Sequence, residues 1–96
     1  MTAYMMVDLD VHDPENFEKY KAGVPALIAK HGGEYLVLGG EFEVLEGDWK
    51  PTRLVLFSFP SRRAIHDLMN DPAYAELKAL RQRTASTSLI AVDGVV

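Results

Sequence analysis

Asp8, Asp10 and His12 alternate along the chain, so an extended strand would send all three side chains to one side. Carboxylate and imidazole donors suit several divalent metals, which gives the trio the outline of a metal site. The plainer reading is a strand that runs out into solvent ahead of Asp13, and on that reading no metal is expected. His31 closes an amphipathic stretch beside Gly32-Gly33. Histidine is the side chain best suited to acid–base work at neutral pH. It also suits a helix end, where it meets terminal carbonyls and the negative end of the dipole. His66 lies in a mixed helical segment and reads as a surface residue. Arg53 opens the most apolar segment of the chain, in phase with Val55 and Phe57, and an arginine there must find acceptors. Glu46, across the 47–52 turn, is one available partner. The alternative is that Arg53 and Arg81 together grip a ligand carboxylate, for which the guanidinium fork is shaped. Tyr20 and Tyr74 fall on apolar helical stripes, where their hydroxyls need partners or can point into a pocket. Trp49 sits in a turn, placed to cover a pocket mouth or to pack at a seam between subunits.

The candidate ligand-binding set is therefore Tyr20, His31, Glu46, Arg53, Tyr74 and Arg81, with His31 the one candidate acid or base. Stronger catalytic signatures are absent: there is no Gly-rich phosphate loop, no His-Glu-x-x-His helix and no Gly-x-Ser-x-Gly elbow. The chain has no cysteine, which excludes disulfides, a catalytic thiol and thiolate-held metals or clusters. Ten basic against fourteen acidic residues give a formal charge of -4, and the scattered basic residues disfavour nucleic acid as a partner. No apolar run approaches the ~20 residues that span a bilayer. The first residues lack the basic-then-apolar pattern of a secretory signal, so a cytoplasmic location is expected.

These residues must be positioned by one domain, since 96 residues make a single small unit with a modest core. Residues 3–11 read as a strand. Asp13-Pro14-Glu15 announces a helix: an N-cap acceptor, a proline at the first helical position and an acid at the positive end of the dipole. Phe17, Tyr20, Val24, Leu27, Ile28 and His31 follow at helical spacing. Pro25 lies inside that run and predicts a kink or break near Gly23-Val24-Pro25. Residues 34–38 predict a second strand, and the alternation over 41–46 predicts a further half-exposed strand or strand extension. Residues 53–59 give the strongest strand signal. Ser61 caps a helix carrying Ala64, Ile65, Leu68 and Met69. Asn70-Asp71-Pro72 starts another with Tyr74, Leu77, Leu80 and Arg81, and 87–92 is the last strand. The order is β-α-β-(β)-β-α-β with its second helical region broken in two. It predicts an α+β, ferredoxin-like βαββαβ sandwich: an antiparallel sheet with helices on one face.

In such a fold one sheet face is uncovered, and its strands should alternate apolar with polar. Here they are apolar on both faces: Met5 and Val7 against Tyr4 and Met6, Val55 and Phe57 against Leu54 and Leu56. An uncovered apolar face of that size calls for a partner, and a second copy related by a two-fold axis is the simplest one. A charge at either Val55 or Leu56 is expected to be severe, without the sequence saying which of the two faces the helices.

The ordered set of Asp8, Asp13-Pro14 with Phe17 and Tyr20, His31-Gly32-Gly33 with Tyr35, Gly39-Gly40, Glu46-Gly47-Asp48-Trp49, Pro51 with Arg53, Phe59-Pro60, Tyr74 and Arg81 resembles domain-of-unknown-function family 1330. The likeness covers nearly the whole chain. It implies a ferredoxin-like fold in a dimeric α/β barrel, a superfamily whose wider members include cofactor-free monooxygenases, lactone isomerases and stress-responsive domains. It supplies no reaction. The leading expectation is a homodimeric, cofactor-free binding protein for a small carboxylate-bearing or aromatic molecule. The alternatives are a cofactor-independent monooxygenase or isomerase and a purely structural oligomerisation domain.

Overall fold

The computed structural model describes all residues, 1–96. In chain order the elements are β1 (Ala3–Val11), α1 (Pro14–Lys30), β2 (Glu34–Leu38), β3 (Leu54–Phe59), α2 (Arg62–Met69), a 3-10 turn (Pro72–Tyr74), α3 (Ala75–Thr84) and β4 (Ala85–Asp93). The helix starts are set by the caps that the sequence announces. Asp13 accepts from the Asn16 N–H at 3.3 Å, Ser61 from the Ala64 N–H at 3.2 Å, and Asp71 from the Ala73 N–H at 2.9 Å. Gly32, at φ +78, gives α1 its left-handed exit.

Two expectations are corrected. α1 is one unbroken helix through Pro25. The ring's fixed φ is helical, so the local cost is the hydrogen bond that the Lys21 carbonyl would have received, and burial of Val24 and Ile28 on either side offsets it. Residues 41–46 form no strand. Gly39, at φ +65, turns the chain off the sheet, and residues 40–50 run as an exposed arm with no strand to pair against.

The strands form one antiparallel sheet in the order β2-β3-β1-β4, the arrangement of the ferredoxin-like sandwich. Its inner face carries Ala3, Met5, Val7 and Leu9 of β1 and Val55, Phe57 and Phe59 of β3, all buried against Phe17, Val24, Ile28, Ile65, Leu68 and Tyr74 of the helical layer. Its outer face presents Tyr4, Met6, Leu54 and Leu56, flanked across the pairing by Val37, Ile90 and Val92. Val37, Ile90 and Val92 are 39%, 60% and 50% exposed. Val55 thus faces the helices and Leu56 faces away, which separates two positions the sequence left equivalent.

Asp71 ties the end of α1 to the second helical region. One carboxylate oxygen receives Lys30 Nζ and His31 Nε2, each at 2.8 Å, and the other receives the Ala73 N–H. The hydrogen bond from Lys30, then that from His31, then the Ala73 N–H hold this carboxyl well below the usual carboxylate range. A carboxyl whose folded value is depressed adds stability above its unfolded value of about 3.9, and that contribution fades as the pH falls towards the folded value. Asp71→Asn, which keeps the backbone acceptor, should therefore lower Tm at pH 6. Melting curves from pH 6 down to 2 should show the gap to wild type narrowing below about pH 4. A gap that stays constant to pH 2 would show that the charge of Asp71 is not what stabilises the junction.

Candidate functional site

Between the inner sheet face and the helical layer lies a cavity of about 170 Å³, most of its walls apolar. Val7, Leu9, Val55 and Phe57 form its floor, and Phe17, Val24 and Ile28 of α1 form its roof. Tyr35 joins from β2, paired with Phe57 ahead of the bulge that turns Val37 to the other face, with the ring centroids 4.7 Å apart. The polar groups that reach this space are few: Tyr20, Tyr74, Arg81, Arg53, Lys21 and Tyr35, with no carboxylate among the lining residues.

Helical spacing delivers the first three. Tyr20 follows Phe17 by three residues on the inward stripe of α1. Tyr74 ends the 3-10 turn and Arg81 lies seven residues on, two turns down α3. The hydroxyls of Tyr20 and Tyr74 are hydrogen-bonded to each other at 3.0 Å. Burial, then the neighbouring Tyr74, pushes the Tyr20 phenol far above its ordinary value, and Arg81 offsets this only in part. Burial raises Tyr35 as well, with Tyr74 adding to it. These phenols stay neutral at physiological pH, so they can give and take hydrogen bonds but cannot serve as ready bases.

Arg81 is 4% exposed. Its Nη1 donates to Thr87 Oγ1 at 2.7 Å, its Nε has no partner, and no carboxylate lies within ion-pair reach. Arginine does not shed its proton in a protein, so the cation remains. A buried guanidinium without a counter-charge is costly and uncommon, and here it borders an apolar cavity. Arg53 lies at the mouth. Its guanidinium rests on Gly39, where an added Cβ would come within 2.5 Å of Cζ, so that glycine is required by this approach as well as by its positive φ.

Four of the six residues singled out in the sequence thus meet at one cavity: Tyr20, Arg53, Tyr74 and Arg81. Glu46 does not join them. It lies on the exposed arm and forms no ion pair with Arg53, which corrects the proposed structural pairing. His31 is likewise absent from the lining. Its backbone N–H closes α1 on the Leu27 and Ile28 carbonyls, and its imidazole is engaged by Asp71. The Asp8-Asp10-His12 trio also resolves into something else. Asp8 accepts from the Thr52 N–H at 2.9 Å, the Arg53 N–H at 3.4 Å and Trp49 Nε1 at 3.4 Å. It is the latch that returns the arm to the sheet and sets Arg53 in place, and no group of three carboxylates or imidazoles gathers to hold a metal. Sequence reasoning missed Thr87, Lys21 and Tyr35. The signal for Thr87 was present in its in-phase alternation with Leu89, whereas the bulge hid that of Tyr35.

No helix is long and apolar enough to cross a membrane. No curated protein matches the chain. Among solved structures, a protein of unknown function from Rhodopseudomonas palustris is similar at 19% identity and TM-score 0.79, covering 99% of this chain and 83% of that one. SnoaB, a cofactor-independent oxygenase from Streptomyces nogalater, is similar at 14% identity and TM-score 0.71, covering 99% and 94%. A dimeric ferredoxin-like protein of unknown function from Jannaschia sp. CCS1 is similar at 9% identity and TM-score 0.71, covering 98% and 100%. At these identities the likeness is one of fold, and it agrees with the α+β, ferredoxin-like architecture built above. The sequence itself matches a family profile over residues 2–95, and the chain belongs to that family, the domain of unknown function DUF1330.

Proposed function

We propose that this protein is a homodimeric binding protein for a small, mostly apolar molecule bearing a carboxylate, taken up in the cavity without a cofactor. Arg81 carries the reading: a cation 4% exposed, with an unpartnered Nε, on an apolar wall. A carboxylate is the counter-ion whose geometry suits a guanidinium best, and in a space shielded from water their hydrogen bonds are strong. The Tyr20–Tyr74 pair adds two hydroxyls on the same lining. A cavity of about 150 Å³ accommodates a benzene ring, which points to a single ring or a chain of a few carbons.

The dimer rests on the outer sheet face. The molecule measures 37 × 34 × 17 Å, and its thin dimension fits a sheet and one helical layer ~10 Å apart, with nothing over the outer face. That face, with Leu56 and Met6 at its centre, is broad enough for the ~800 Å² per partner of an ordinary stable interface. The dimeric fold relative from Jannaschia supports the same assembly. A second reading, a cofactor-independent oxygenase or isomerase, draws support from the fold shared with SnoaB. It finds less in the site, because the phenols of Tyr20 and Tyr35 resist ionisation and His31 is held outside. A purely structural domain would have no use for Arg81 on a cavity wall.

Arg81→Met keeps the length of the side chain and removes the buried charge. It should leave the free protein as stable as wild type or roughly 1–4 kcal/mol more so, while abolishing the rise in Tm produced by millimolar benzoate or butyrate. Loss of fold in Arg81→Met, or an unchanged benzoate shift, would remove Arg81 as the anchor. The Tm of wild type should rise with protein concentration. Leu56→Asp should sediment as a monomer, whereas Val55→Asp should fail to fold because the charge enters the core. A folded wild-type monomer at micromolar concentration would overturn the dimer.

A further inference from the structure

Resting on the binding reading above, we infer that the ligand carries two anionic groups, as a short dicarboxylate does: one on Arg81 inside the cavity and one on Arg53 at its mouth. Every charged side chain lining the cavity is basic, although the chain has fourteen acidic residues against ten basic ones. Lys21 is already neutralised, since its Nζ bonds Glu18 at 3.0 Å and both side chains are largely in solvent. Arg53 and Arg81 are not: neither forms an ion pair anywhere in the chain.

Their separation decides between one shared anion and two. Thr87 of β4 is opposite Leu9 of β1, and the Leu9 N–H donates to the Arg53 carbonyl at 2.9 Å. Thr87, Leu9 and Arg53 therefore form one row across the inner face, and two strand spacings of ~4.8 Å part its ends. Arg81 is tethered at one end, on Thr87. Arg53 turns away from the other end, onto Gly39 at the end of the edge strand β2. The two guanidiniums thus stand on opposite sides of Leu9. One carboxylate can fill one fork only, so the second cation is served by a second anion a few carbons away. The apolar floor between them takes the spacer, and a cavity of about 170 Å³ limits it to one ring or a short chain.

Calorimetry on wild type and Arg53→Gln would compare benzoate with isophthalate and with monomethyl isophthalate, which keeps the shape but loses one charge. Butyrate against glutarate serves as the flexible pair. In wild type the diacid of at least one pair should bind about tenfold or more tightly than its monoacid, the monoester should follow benzoate, and Arg53→Gln should bring the ratio near one. Monoacids that bind as well as diacids in both pairs would overturn this inference while leaving the binding reading intact. A preference that survives in Arg53→Gln would do the same. If none of the five compounds binds, both fall. Arg53 is partly exposed and outside the core, so the folded state of Arg53→Gln is checked by its melting curve.

Discussion

A guanidinium taken out of water keeps its charge, so a fold that buries one must supply acceptors, admit water or leave room for an anion. Around Arg81 the fold supplies one threonine hydroxyl and the paired hydroxyls of Tyr20 and Tyr74 on the neighbouring lining. The charge stays uncompensated by the chain itself, although the chain has carboxylates to spare elsewhere. Small domains have little stability to give up, with a net of only ~5–15 kcal/mol, so a feature that works against folding calls for a role. The remaining architecture is organised to keep that cation where it is. Helical spacing from Tyr74 brings Arg81 inward, β4 places Thr87 beneath it, and α1 roofs the space beside it.

The two faces of the sheet divide the work because side chains alternate along a strand with a period of two. In β3, Val55 and Phe57 help floor the cavity while Leu54 and Leu56 look outward. β1 does the same with Val7 and Leu9 against Met6 and Asp8. Asp8 belongs to the outer set, yet its hydrogen bonds to Thr52 and Arg53 govern the inner one, since they fix where β3 begins and so where Arg53 emerges. The arm that Asp8 latches carries Phe42, Val44, Leu45 and Trp49 largely exposed.

Much of this was legible in the sequence, and the rest failed for local reasons. The caps at Asp13, Ser61 and Asp71 were readable because each is a contact within three residues. The residues converging on the cavity were readable because tyrosine and arginine on an apolar stripe break its pattern. Alternation over 41–46 misled, since it describes a surface and not a pairing partner, and Gly39 turns that stretch away from the edge of the sheet. Pro25 misled because tertiary burial of its neighbours outweighed one lost hydrogen bond. The link between Arg53 and Glu46 depended on the path of the arm, and the engagement of His31 on Asp71, forty residues away in the chain. Neither distance is visible to periodicity.

The central claim is that Arg81 holds an anion within the cavity, and a crystal structure of the wild-type protein grown with 4-bromobenzoate tests it most directly, since the bromine locates itself by anomalous scattering. The account predicts bromine among Val7, Val55 and Phe57, with the carboxylate on the Arg81 guanidinium at ~2.7–2.9 Å and Nε among the donors. A structure with no bromine in the cavity, or with Arg81 Nε paired to an acceptor of the protein itself, would contradict it.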